Sequence, residues 1–128
     1  MDAVNFSHPW NGTEDHFKIH NQFFTTIRRH NPKKYVKGRS IGINYRERPV
    51  KVCIIRKVVT SNLPGIPESV FLLDTGYNKI DSIDIFAKMY HMTPAAIQSI
   101  FFDIVYFETD YCIMSRNAKV KQLCLSFS

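Results

Sequence analysis

The chain has 128 residues, 45% of them hydrophobic and 13% aromatic, which is enough apolar side chain to build one buried core and argues against disorder. Its formal charge is +6, and its longest apolar runs, such as SIFFDIVYF, are broken by charge well short of a bilayer span, so no membrane contact is expected. The opening MDAVNFSHPWNGTED is polar and acidic, unlike a secretory leader, so the expected location is cytoplasmic and the sequons at Asn5 and Asn11 are read as chance.

In chain order, residues 1–16 read as an irregular arm that Trp10 tucks onto the core. Aromatic and β-branched residues in KIHNQFFTTIRR predict a strand or strand pair over Lys18 to Arg29. Asn31-Pro32 then starts a turn, and Gly38 ends the loop. RSIGINYRE alternates, with Ile41, Ile43 and Tyr45 on one side, and VKVCIIRKVVT is the clearest strand. Pro67 suits the first turn of a short helix, ESVFLLDT, closed by Gly76. Ile80, Ile83, Ala87 and Tyr90 set out the buried stripe of a second helix. Thr93-Pro94 caps a third, AAIQSI, and FDIVYFET and KVKQLCLSF read as closing strands. The expected class is α+β: a small, mostly antiparallel β-barrel with two or three short helices packed over one side, as a single domain over 1–128.

The charge is concentrated. Residues 28–57 hold eleven bases against the single acid Glu47, a segment charge of 11 − 1 = +10, while the stretches on either side each sum to −2. A near-neutral body carrying one basic segment suggests a polyanionic partner, with a solvated basic face as the plainer reading. Cys53, Cys112 and Cys124 are scattered without a CxxC and read as structural thiols. His16 and His20 have i, i+4 spacing but no third ligand nearby, so no metal is expected. No phosphate-binding glycine loop, zinc motif or serine-hydrolase elbow is present, and no cofactor is implied.

FFTTIRRHNPKKYVKG, the strand VKVCIIRKVV, and LLDTGY followed by a helix ending KMY together resemble the PUA-like superfamily, in its ASCH-type branch. The resemblance covers Lys18 to Tyr90 and the strand Asp103 to Glu108. It implies a small barrel with helices over one opening and a cleft between them that serves RNA. One branch resembles acetylcytidine amidohydrolases, in which a Thr directly before I-R is the nucleophile, a Lys lies three positions earlier, and a Glu precedes the late helix. Here Thr26 fits the nucleophile position, Phe23 stands at the lysine position, and Asp74 and Thr75 occupy the region of the Glu. A threonine hydroxyl without a base is a poor nucleophile, so binding is expected over catalysis.

Thr25 and Thr26 alternate on a strand, and Arg28 shares the parity of Thr26. Thr26 and Arg28 are therefore the pair expected to line a site, with Arg29 facing away. Asp74 is expected either to pair with Arg28 or to satisfy its helix end, and Tyr77 to pack or to offer a stacking face. Lys33, Lys34, Lys37 and Arg39 form the expected phosphate-contacting rim. The leading expectation is an RNA- or nucleotide-binding module. Two others stand beside it: a small hydrolase or nuclease working through Thr26, and a protein-interaction adaptor for an acidic partner.

Overall fold

A computed structural model describes residues 1–10 and 17–113. The strand expected in KVKQLCLSF, and His16 and Cys124, lie outside the described residues. Strands β1 (Ala3–Phe6), β2 (Phe23–Arg29), β3 (Ser40–Tyr45), β4 (Arg48–Asn62) and β5 (Phe101–Cys112) form one sheet in the order β1-β3-β4-β5-β2. Helices α1 (Glu68–Thr75), α2 (Lys79–Met89) and α3 (Pro94–Ile97) are inserted between β4 and β5. The α+β class with three helices thus stands, and among the described residues the sheet is a five-stranded curl, compatible with a small barrel.

Two sequence expectations are corrected. The arm contains a strand: β1 pairs in parallel with β3, Val4 opposite Ile43, because Val4 and Phe6 alternate inward and fill the core. Residues 18–29 are not one extended piece, since Lys18–His20 makes a 3-10 turn before β2 begins at Phe23.

β4 and β5 are the spine, paired antiparallel from Lys51↔Cys112 to Asn62↔Phe101. Register shifts at Val52/Cys53 and Ile55/Lys57 mark bulges, which bend a strand and add twist. From Phe102 to Phe107 β5 is largely covered on both faces, which is why that stretch is apolar apart from Asp103. Val105 and Phe107 point into the curl with Phe6, Phe24 and Ile55, whereas Phe102 and Ile104 meet Ile27, Phe71, Phe86 and Ile97 under the helices. Two cores therefore share one strand.

The helix ends follow local chemistry. Gly76 adopts φ 81°, a left-handed cap costly for other residues, and its N–H returns to the Leu72 carbonyl. Pro67 stands just before α1 rather than within it. Asn78 accepts from the Asp81 N–H and Thr93 from the Ala96 N–H. In α2 the buried set is Ser82, Ile83, Phe86 and Ala87, while Ile80 is 75% exposed. The Thr75–Ser82 hydroxyl contact at 2.9 Å fixes this rotation, setting a polar pair against α1 where the periodicity had placed Ile80 on the buried side.

Candidate functional site

The curl brings the two edge strands, β1 and β2, towards each other without pairing them. Side chains bridge the seam instead. Arg28 of β2 donates through its terminal nitrogen to the Asn5 carbonyl of β1 at 2.8 Å, and its guanidinium lies 4.8 Å from the Phe6 ring centroid. Phe6 also meets Phe24 of β2 edge-on at 6.3 Å.

A small pocket, partly open to solvent, lies at this seam. Its strand walls are Asn5 and Phe6 on one side and Thr26, Ile27 and Arg28 on the other, with Lys18 and Asp74 at its polar end. Trp10, Phe86 and Tyr90 complete an aromatic wall, in which Trp10 stacks on Phe86 at 6.4 Å and 23°.

Each polar group is held from a different element. Asp74 sits in the last turn of α1, where a carboxylate opposes the helix dipole. Lys18, carried by the 3-10 turn, offsets this: its Nζ donates to Asp74 Oδ1 at 3.0 Å and to the Asp74 carbonyl at 3.1 Å. Thr25 donates to the same Oδ1 at 2.6 Å. Arg28 Nε donates to Thr26 Oγ1 at 2.9 Å. Burial pushes the Lys18 pKa below its ordinary value, and its pairing with Asp74 opposes that shift. Burial likewise lowers that of Arg28.

The structure brings Thr26, Arg28 and Asp74 together as site residues, but the pairing differs from expectation: Asp74 takes Lys18, and Arg28 takes Thr26. Phe23 is 65% exposed and does not line the pocket. Lys18 fills the polar corner from eight positions before Thr26, because the 3-10 turn folds the chain back beneath β2. The sequence signal for it is slight: a lone base between Phe17 and Ile19, in a segment with no other Lys or Arg before residue 28. Trp10 and Tyr90, which reach the pocket from the N-terminal arm and the end of α2, signal only core packing in the sequence and nothing of a site.

The basic segment divides. Arg29 at the end of β2 and Lys33 and Lys37 on the β2–β3 loop are exposed, Lys34 on that loop is half-buried, and all lie outside the pocket. Arg39 is tied into that loop by the Lys33 and Lys34 carbonyls and lies 4.0 Å from Asp2. Tyr77 is half-exposed, also away from the pocket. Among the described residues, no group of three or more His, Cys, Asp or Glu is placed to hold a metal, and no helix is long and apolar enough to cross a membrane.

Among the described residues the fold is that of a small α+β protein whose curled sheet is open along one seam. A similar structure is that of protein EF3133 from Enterococcus faecalis V583, described under the family model DUF984. The two superpose with a TM-score of 0.60 at 12% identity, over 91% of this chain and 85% of that one. That likeness concerns the fold alone. No family model matches the chain, and no curated protein matches it.

Proposed function

We propose that this protein is a PUA-like, ASCH-type module that binds RNA or a nucleotide, taking a base into the seam pocket and meeting phosphates along the β2–β3 loop. The observation that carries this reading is the pocket's composition. Aromatic faces from Trp10, Phe86 and Tyr90 enclose a corner with fixed hydrogen-bonding groups on Thr26 and Asp74. Planar rings with polar edges are what such a site accepts. Arg29, Lys33, Lys34 and Lys37 outside it supply the sequence-independent attraction for a phosphate chain.

Trp10, the single tryptophan, reports on the pocket directly. Short single-stranded RNA should change its fluorescence, and affinity should fall steeply between low and moderate salt. Lys33→Glu with Lys34→Glu should weaken binding across all sequences. An unchanged Trp10 signal with RNA at low salt would remove the reading.

Lys18 favours a second reading, hydrolysis of a modified nucleoside. The base missing at Phe23 has a spatial counterpart in a buried lysine with a lowered pKa that shares the pocket with Thr26. In its neutral form that lysine would take the hydroxyl proton, and Asp74 at 3.0 Å opposes the loss of its charge. Thr26 Oγ1 would attack the amide carbonyl of an acylated base, the amine would leave with the proton taken from the hydroxyl, and water would then cleave the threonyl ester to a carboxylate and free Thr26. Turnover of N4-acetylcytidine that disappears in Thr26→Val, in a protein that still folds, is the expected result; no turnover by the wild type would exclude this reading.

A further inference from the structure

We infer that Arg28 is a positioning residue: it makes Thr26 a hydrogen-bond donor towards the pocket, which then takes an uncharged ring edge offering an acceptor to Thr26 and an N–H to Asp74. This deepens the base-binding reading above and rests on it.

A threonine hydroxyl has one proton and two lone pairs. Arg28 Nε–H occupies a lone pair of Thr26 Oγ1 at 2.9 Å, and a guanidinium never accepts, so the Thr26 proton must point elsewhere. Thr26 is 3% exposed, and among the described residues no acceptor receives that proton. The pocket it lines is the direction left open.

Asp74 is asymmetric in the complementary sense. Oδ1 accepts from both Lys18 and Thr25, whereas Oδ2 has no donor among the described residues. No buried side-chain nitrogen or oxygen there lacks a partner, so Oδ2 is reached from the pocket rather than sealed away. At the polar corner Thr26 is thus a donor and Asp74 Oδ2 an acceptor, while Lys18 turns N–H groups to the Asp74 carbonyl and Oδ1 and Arg28 turns its own to Thr26 and Asn5. A phosphate would meet that carboxylate oxygen, whereas a neutral edge carrying an acceptor beside an N–H satisfies both groups.

Arg28 is held for this task. Its other bond goes to the Asn5 carbonyl at 2.8 Å, and Phe6 stacks beneath it, so Nε is aimed at Thr26 by contacts across the seam. Lysine would keep the charge and lose the planar fork that lets one side chain serve Thr26 and Asn5 together.

The test is a double-mutant cycle read by Trp10 fluorescence, with uridine, cytidine, adenosine and guanosine and with their 5′-monophosphates. For the best-bound nucleoside, Thr26→Val and Arg28→Lys should each weaken binding about tenfold, and Thr26→Ser should restore most of the affinity. The double variant should bind no worse than Thr26→Val alone, because Arg28 acts through the hydroxyl. The 5′-monophosphate should gain less than about threefold over the nucleoside, since no phosphate enters the corner. Additive losses in the cycle, or a monophosphate bound far more tightly with Arg28→Lys as good as wild type, would make Arg28 a direct anion ligand and overturn the inference while leaving base binding intact. A wild type silent to all eight ligands would overturn both.

Discussion

Two buried lysines show how differently one residue type can be used in this fold. Lys18 ends on a carboxylate, with Asp74 Oδ1 at 3.0 Å, and lines the pocket. Lys51, equally buried on β4, donates to the Ile19 and Asn21 carbonyls and the Thr109 hydroxyl, with the Phe24 ring 4.6 Å away. Lys51 pins the 3-10 turn to the sheet, and that same turn delivers Lys18 to the seam. One lysine is a peg; the other is a site residue that the peg positions. Burial of a charge is therefore not by itself a sign of function, and the surroundings of the ammonium decide.

Removing the carboxylate should break this contrast most severely. Asp74→Ala leaves Lys18 buried beside Arg28 without its counter-charge and should cost about 3–5 kcal/mol in urea unfolding. Adding Lys18→Met should recover a large part of that loss. Because burial already lowers the Lys18 pKa, the unfolded chain holds a proton that the folded chain sheds. The stability of Asp74→Ala should accordingly rise with pH towards 10.5, the ordinary lysine value.

Lys51→Met tests the peg. It strips carbonyls and a hydroxyl of a donor and should cost about 1–3 kcal/mol. Nucleoside binding should weaken less than in Thr26→Val, because Lys51 reaches the pocket only through the turn. Binding lost as completely as in Thr26→Val would erase the distinction between the two lysines.

Cys53, two residues along from Lys51, sharpens the peg side through pH. Burial pushes its thiol from 9.0 to about 11, with Lys51 pulling the other way. A raised folded value contributes stability that is complete below pH 9 and lost as the pH climbs through about 11. Two pH units of separation amount to on the order of 3 kcal/mol. Cys53→Ala should flatten that alkaline decline relative to wild type; an identical slope would show that Cys53 does not titrate in this window.

The smallest effect on stability belongs to the outer loop. Lys33→Glu with Lys34→Glu should change it by no more than about 0.5 kcal/mol while reducing RNA affinity. A large loss of stability would mean that these lysines, like Arg39, brace the loop.

By itself the sequence determined the local grammar. Gly76 ends α1 because a left-handed cap suits glycine, Thr93 and Asn78 start helices because their side chains reach unpaired N–H groups, and alternation marks β3. It also placed Thr26 and Arg28 on one side of β2, since strand parity is a two-residue rule. Only the tertiary structure decided what they meet. Lys18, Asp74, Trp10 and Tyr90 come together because a parallel β1 closes on β2 across a bent sheet, and long-range contacts leave no period in the chain. The same bending dispersed the basic segment: strand pairing buried Lys51, the seam took Arg28, and the end of β2 and the β2–β3 loop kept Arg29, Lys33 and Lys37 at the surface.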